Sequence, residues 1–329
     1  MNFRKFTLAA LAAFAIATAN PMFSQSHTSS HAVRPLTPTE LLGLGARHRV
    51  AVPAAASRSI PDAVALGLAR AKVYRIASVD FPGAATSLVL DRNASTVLGV
   101  SMFTETFGFT FSNALYQTFT VPGSQANEIT GINTGGDIVG AYADFADTIH
   151  GFVDNGGTFT TLDIGAGGTT EPFDINDSGE IVGTFVDAAN VQHGFYTLNG
   201  GSSYTILDVP GATGTEAAGV NTSGIISGSW TDSTSKTHSF LYSGGTFTSF
   251  DFPLATSTTA IGINDSKEIA GYYTDAANVL HGFIYSAGAF TTIEVAGATG
   301  TQLTRIKNAG QITGVYMDST GEEHGLVGH

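Results

Sequence analysis

Short runs of alternating apolar and polar residues, separated by small polar turns, fill the chain from Lys72 to its end. Thr246–Phe252, for example, alternates Thr with Phe after a Gly-Gly turn. Enrichment in Thr, Val, Ile and Phe is typical of half-buried strands, and turns such as Asn-Thr-Ser-Gly at Asn221–Gly224 are typical of hairpins. The pattern therefore predicts short antiparallel strands rather than helices over this part of the chain.

A unit of four such strands recurs six times, with a period of about 43 residues. Each copy has an anchor at the end of its first strand: Arg92, Asn133, Asn176, Asn221, Asn264 and Lys307. Gly lies seven residues after every anchor, and the last five copies have His seventeen residues after it: His150, His193, His238, His281 and His324. Four antiparallel strands per copy form the blade of a β-propeller. We therefore predict an all-β, six-bladed β-propeller with repeats near 84–124, 125–165, 166–210, 211–253, 254–296 and 297–329, the last completed by 72–83.

The ends of the repeat array predict how the ring closes. The last copy stops after its third strand, whereas Val73–Phe81 stands alone before the first copy. The piece ends in Asp80-Phe81-Pro82-Gly83, as the fourth strand of another copy ends in Asp208-Val209-Pro210-Gly211. We predict that Val73–Phe81 is the outer strand of the last blade, which leaves fewer open strand edges. The strand that ends at each anchor is then the innermost one.

The region before the repeats predicts secretion. Arg4 and Lys5 precede an apolar, Ala-rich run that ends in Ala17-Thr18-Ala19, a pattern typical of a signal peptide over residues 1–19. The run is too short to span a bilayer. Residues 20–71, with a capping-box pattern at Thr37–Glu40, are predicted to be a partly helical leader or linker. We expect a secreted or periplasmic protein with no membrane span.

The repeated motifs resemble those of the bacterial extracellular HAF-repeat family. The resemblance is carried by Ile175–Gly183, His193–Phe195 and Leu207–Ala212, and again by Gly262–Gly271 and His281–Phe283. The family pattern is His-Ala-Phe, and here a Gly or Ser stands in the middle, so a small residue is kept. The resemblance covers about residues 72–329 and implies a secreted, propeller-like bacterial protein. It implies no particular activity.

Composition narrows the functional classes further. The 329 residues are 43% hydrophobic and 12% charged, which argues against disorder. The absence of Cys excludes disulfides, Cys-ligated zinc and a thiol nucleophile. A formal charge of −13 disfavours nucleic acid as a partner. No P-loop, Gly-x-Ser-x-Gly or His-Glu-x-x-His motif is present, so no catalytic residue and no cofactor is predicted. We expect a monomer.

Two sets of acidic residues recur with the blades. One set lies six residues before each repeated His: Asp144, Asp187, Asp232, Asp275 and Asp318. The other precedes the turn after each fourth strand: Asp80, Asp163, Asp208, Asp251 and Glu294. The first set could pair with His to ligate a metal, or it could cap turn amides and fix the His ring. Repetition in five blades favours a structural role, and we predict no metal site.

A third set of acidic residues is the candidate ligand site. Glu128, Glu171 and Glu216 each lie five residues before an anchor, where Ser87, Thr259 and Gln302 stand in the other copies. This position begins the innermost strand, so the three carboxylates are predicted to make an acidic mouth of the central channel. Such a mouth could bind a cation, an amine or sugar hydroxyls. The alternative is that they are solvated loop acids.

The functional prediction rests on which polar residues recur in every repeat and on which positions depart from the repeat. The repeat is broken at a few polar or unusual positions: Arg92, Glu105, Trp230, Arg305 and Lys307. Of these, Arg305 lies on the innermost strand of the last blade and joins the candidate ligand-binding residues. The alternative, which we favour, is that the irregular positions of the first and last copies reflect ring closure. Because the polar residues mostly repeat, we predict a non-enzymatic binding or scaffold protein that uses one propeller face for an extracellular carbohydrate or protein ligand. The alternative is a secreted carbohydrate-active or lyase-type enzyme, with Glu171, Glu216 and Arg305 near the channel mouth.

Overall fold

The computed structural model describes residues 74–84, 86–102, 106–164, 168–198 and 203–329. The predicted signal peptide and leader, together with Val73 and Glu105, lie outside these ranges. The described residues form 24 strands and no helix. None of them therefore belongs to a helix that could cross a membrane.

The strands follow the chain in groups of four. The first half contains β1 (Ile76–Ser78), β2 (Thr86–Arg92), β3 (Thr96–Met102), β4 (Thr106–Ser112), β5 (Leu115–Thr118), β6 (Ala126–Ile132), β7 (Ile138–Ala143), β8 (Ile149–Asn155), β9 (Thr158–Leu162), β10 (Thr170–Ile175), β11 (Ile181–Val186) and β12 (Gln192–Leu198). The second half contains β13 (Ser203–Leu207), β14 (Gly214–Val220), β15 (Ile226–Thr231), β16 (Thr237–Ser243), β17 (Thr246–Phe250), β18 (Ser257–Ile263), β19 (Ile269–Thr274), β20 (Leu280–Ser286), β21 (Ala289–Ile293), β22 (Gly300–Ile306), β23 (Ile312–Met317) and β24 (Glu323–Gly328).

These strands form six antiparallel, four-stranded sheets, which confirms the predicted six-bladed propeller. Blades 1 to 5 begin with β2, β6, β10, β14 and β18, and blade 6 has the strand order β22-β23-β24-β1. The first strand of each blade is the innermost, since these strands contact one another around the axis. Strand β1 pairs with β24, with Ile76 opposite Gly328 and Ser78 opposite Leu326, so the predicted closure by the N-terminal strand is also confirmed.

Close packing explains the repeated Gly and Phe. In blade 4, a Cβ on Gly228 would lie 2.0 Å from the carbonyl oxygen of Glu216 and 2.6 Å from the ring of Phe240. That Phe is fully buried, as are its equivalents Phe109, Phe152, Phe195 and Phe283. Blades 1 to 5 therefore each seat one aromatic ring against a bare backbone, and only Gly leaves room for it; in blade 6, Leu326 lies opposite the Gly.

A β-bulge in each innermost strand sets what faces the axis. The register between the first two strands shifts in every blade, for example between Ile129 and Gly131. A bulge re-aims the residues that follow it. A Cβ on Gly131 would lie 2.9 Å from Cα of Asp174, so innermost strands of neighbouring blades approach closely here. Gly also stands after the bulge in blades 4 and 5, at Gly219 and Gly262.

The structure corrects the anchor of blade 1. Its structural equivalent of the anchor Asn is Asn93, not Arg92, because Asn93 makes the capping and inter-blade bonds of the other anchors. The turn after it is one residue shorter than in the other blades, which displaced the sequence alignment. For the same reason Leu88, not Ser87, is the equivalent of Glu128, since each precedes the residue opposite the repeated Gly.

Candidate functional site

One end of the ring is built by the anchor residues, and we call it the asparagine end. Each anchor Asn accepts backbone N–H bonds of its own turn through Oδ1; Asn221, for instance, accepts from Ile225 N at 3.0 Å. Its Nδ2 donates to the anchor carbonyl of the next blade. Five such links run from blade 1 to blade 6: Asn93 to Asn133 (3.3 Å), Asn133 to Asn176 (3.4 Å), Asn176 to Asn221 (2.9 Å), Asn221 to Asn264 (3.2 Å) and Asn264 to Lys307 (3.4 Å).

An ion pair replaces the sixth link. Lys307 Nζ lies 2.7 Å from Asp91 Oδ1 in blade 1, so the pair joins the last blade to the first. Asp91 is fully buried, and its other carboxylate oxygen accepts from Ile132 N at 2.9 Å. A buried carboxylate that loses its cation is strongly destabilising. The departure of Lys307 from the repeat therefore belongs to ring closure.

Arg305 spans the centre of the ring. It starts on β22 in blade 6, yet its guanidinium donates to the carbonyl oxygens of Phe173 in blade 3 and Thr130 in blade 2, the latter at 3.4 Å. Its Nε lies 3.7 Å from Asp174 Oδ1. Burial raises the pKa of Asp174, and the charges of Arg305 and Lys307 oppose that shift. The side chain is 5% exposed, so its charge is buried at the centre of the ring.

A cavity of about 260 Å³ opens at the asparagine end, over Arg305. Residues from all six blades line it, including Arg92, Asn133, Asp174, Asn221, Asn264 and Lys307. Its wall holds two further acceptor groups at Asp177 and Asp265, which bind the turn amides of Thr134 and Thr222. The lining mixes polar and apolar side chains, and its composition differs from blade to blade. Arg305 is the one member of the predicted ligand set that lies here.

The three predicted glutamates lie toward the opposite end, which we call the glutamate end. Glu128 and Glu171 are buried, with 4% and 8% of their surface exposed, and Glu216 is partly buried. Burial, and then the neighbouring charge of Glu171, raises the pKa of Glu128 to about 8. Burial likewise raises the pKa of Glu171 and of Glu216 to about 7, the former with help from Glu216. The glutamates thus lie near enough to affect one another's pKa, and Glu128 and Glu171 are buried rather than in open solvent.

Their carboxylates do not gather around one point. Among the described residues, they are not part of any group of three whose oxygens could share a metal ion. The Oε2 atom of Glu171 is buried without a hydrogen-bond partner. Arg305 lies near enough to lower the pKa of Glu216, against the effect of burial. Ligand binding by this set stays a prediction.

The two repeated acidic sets meet at the repeated His, a relation that the sequence analysis missed. In blade 3, His193 Nδ1 lies 3.0 Å from Asp208 Oδ1 and Nε2 lies 3.5 Å from Asp187 Oδ2. The ring stacks on Phe185 with centroids 5.0 Å apart. We call this unit of one His between two carboxylates a histidine bracket. It recurs at His150, His238, His281 and His324, on Tyr142, Trp230, Tyr273 and Tyr316 respectively.

Within a bracket, the contacts between His and the carboxylates shift their pKa values. Burial alone would lower the pKa of His150 and His193, but the hydrogen bonds and charges of the flanking Asp residues raise it overall. Backbone N–H bonds and the His in turn lower the pKa of Asp144 and Asp187. Each bracket ties a loop to two strands of one blade. Trp230 looks like a break of the repeat in the sequence, but in the structure it stacks on His238 as the aromatic residues of the other brackets stack on their His.

Comparison with solved structures returns matches at low sequence identity, β-propellers among them. A mutant of AofleA from Arthrobotrys oligospora has a TM-score of 0.49 and 11% identity, over 78% of this chain and 86% of that one. The β-propeller domain of the Trilobed protease from Pyrococcus furiosus has a TM-score of 0.47 and 10% identity, over 74% and 82%. The six-bladed fungal lectin of Aleuria aurantia, with its fucose recognition, has a TM-score of 0.46 and 10% identity, over 76% and 93%. No protein-family profile and no curated protein matches the sequence.

Proposed function

We propose that this chain is a secreted, non-enzymatic β-propeller protein of the HAF-repeat type that binds a small polar ligand, such as a sugar, in the cavity at the asparagine end. One observation carries the proposal. Side chains from all six blades converge on one cavity of about 260 Å³, and Arg92, which breaks the repeat, is among them. The predicted signal peptide supports the extracellular location.

The chemistry of the cavity wall favours a ligand rich in hydroxyl groups or with a negative charge. Amide, hydroxyl and carboxylate groups surround the opening. Arg92 stands where the other blades have Ile or Val, and its Nε donates to the carbonyl of Asn93, at 3.3 Å. A guanidinium has five N–H donors, so Arg92 keeps donors for a ligand. The cavity is smaller than the 300–1,000 Å³ of ordinary ligand sites, which suits a small molecule.

The geometry gives less support to the alternative enzyme. Arg305 donates through its two terminal nitrogens to backbone carbonyls, and its Nε lies 3.7 Å from Asp174 Oδ1, so these contacts give it a role in holding the fold. Glu171 and Glu216 lie at the other end, away from the cavity. The raised pKa of both glutamates would suit acid–base chemistry, but burial by the surrounding fold explains it.

The test is a panel of glycans and cell-wall fragments presented to the secreted form, followed by two variants measured with whichever compound binds. Arg92→Ile installs the residue of the other blades, and Glu171→Gln changes the glutamate end. We expect Arg92→Ile to weaken binding by about 10-fold or more and Glu171→Gln to leave it unchanged. Weaker binding in Glu171→Gln, with unchanged binding in Arg92→Ile, would place the ligand site at the glutamate end instead. Chemical conversion of a panel compound would favour the alternative that the protein is an enzyme.

A further inference from the structure

The histidine bracket of blade 6 differs from the other four by one added carboxylate. Asp318, Glu322 and His324 each place one ligand atom within 4.8 Å of the other two, and no second group of this kind occurs among the described residues. At the position two residues before the His, the other blades have Thr148, Val191, Lys236 and Val279. Glu322 is the only residue at this position that adds a carboxylate to a bracket.

Asp318 is held ready by its own loop. Its Oδ1 accepts from Thr320 N at 2.8 Å, from Thr320 Oγ1 at 2.7 Å and from Glu322 N at 3.0 Å. These bonds fix the carboxylate and leave Oδ2 pointing at His324, whose Nε2 lies 3.5 Å away. A ligand that is already ordered loses little freedom when it binds an ion.

His324 is oriented from its other side. Its Nδ1 lies 3.3 Å from Asp80 Oδ2, and the ring stacks on Tyr316 with centroids 5.1 Å apart. A carboxylate on one ring nitrogen fixes the proton there and presents the other nitrogen to a metal, an arrangement common around zinc-bound His. Asp80 belongs to the N-terminal piece that completes blade 6, so ring closure also assembles this arrangement.

We propose that Asp318, Glu322 and His324 form a zinc-binding site on blade 6, with Asp80 as the positioning residue. Two ligands at about 2.1 Å from a tetrahedral zinc ion lie about 3.4 Å apart, which is close to the 3.5 Å between Nε2 and Oδ2. One nitrogen and two carboxylate oxygens suit Zn²⁺ better than Mg²⁺, which prefers oxygen ligands and bound water. The fourth position is left to water, as in other three-ligand zinc sites.

The test is calorimetric titration of the EDTA-treated secreted form with ZnCl₂, beside two variants. Glu322→Val installs the residue of blade 5 and keeps the rest of the bracket. Val279→Glu gives blade 5 the carboxylate of blade 6. Histidines outside the ring are present in all three proteins, so the differences between them report the bracket sites.

We expect Glu322→Val to weaken one zinc site by about 100-fold or more, and Val279→Glu to add one site to those of the wild type. MgCl₂ should give no binding at this site. Wild-type zinc binding in Glu322→Val would overturn the proposal, and so would an unchanged number of sites in Val279→Glu. If Glu322→Val failed to fold, the Val279→Glu titration would decide alone.

Discussion

Single residues explain why the repeat has its particular sequence. Gly183 leaves space that the ring of Phe195 fills, and a Cβ there would lie 2.3 Å from the carbonyl oxygen of Glu171. The spacing of Gly and Phe could be read from the sequence, but not its cause, because the two residues are neighbours on adjacent strands. The predicted anchor of blade 1, Arg92, is wrong by one residue. Anchors were counted back from the following Gly, and this count does not detect that the turn between them is one residue shorter in blade 1.

Phe195→Ala should destabilise the propeller by about 3–5 kcal/mol, because the aromatic side chain of Phe195 is fully buried and its loss leaves a cavity. Urea denaturation measures the change. Tyr204→Ala, in the same blade, is the control, since Tyr204 is 43% exposed and should cost little. Equal costs for the two variants would contradict the assigned core.

Glu128→Gln should stabilise the protein at pH 8.5 by up to about 5 kcal/mol and change little at pH 4. Burial raises the pKa of Glu128 to about 8 from an ordinary value near 4.5, so between these values the folded state binds more protons than the unfolded state. The contribution of this carboxyl to stability is therefore lost as the pH rises through that window. Blade 6 has Gln302 at this position, which makes Gln a matched replacement.

Unfolding midpoints of wild type and Glu128→Gln across pH 4–9 would check this. A constant difference between the two proteins at every pH would mean that Glu128 is not proton-linked to folding.

At the scale of elements, loops and strands are joined by the histidine brackets. The repeated His and both acidic sets are visible in the sequence. The two sets look unrelated there, because their members lie in different hairpins. The structure joins them, and blade 6 completes its bracket with Asp80 from the N-terminal piece. Periodicity could not reveal this, since it gives positions along a blade and not which side chains meet across it.

His193→Phe should flatten the pH dependence of stability between pH 6 and 8. The flanking carboxylates raise the pKa of His193, so its stabilising effect is present below its unfolded pKa, near 6.5, and is lost as the pH rises through the folded value. Phe107 holds the same position in blade 1, so Phe fits the blade. The bracket is partly exposed, and we expect a change of about 0.5 kcal/mol.

Thermal midpoints at pH 6 and pH 8 provide the comparison. If the midpoint falls as much over this range in His193→Phe as in wild type, then the bracket of His193 does not contribute to the pH dependence of stability.

At the scale of the whole molecule, the ring closes in two places. Strand β1 pairs with β24 at the outside, and Lys307 pairs with Asp91 near the axis. The six-fold repeat and the outer closure were predictable because period and strand pattern are local properties. The inner closure was not, since it depends on a register shift that brings Asp91 and Arg305 to the axis. Nor does periodicity tell which end of the channel is open.

Lys307→Asn should destabilise the ring by about 3 kcal/mol, because Asp91 would remain buried without its cation. Adding Asp91→Asn should recover part of that loss, since the amide oxygen still accepts from Ile132 N. A double-mutant cycle in urea measures the coupling. Additive effects of the two changes would show that the ion pair does not hold blade 6 to blade 1.

The ring itself is tested most directly by amide hydrogen exchange at the outer closure. Arg75 N donates to His329 O and Val79 N to Gly325 O, both at 3.0 Å, so these amides should exchange as slowly as those inside the blades. Exchange of Arg75 and Val79 at the rate of an unstructured peptide, with the other blades protected, would contradict a ring closed by its N-terminal strand.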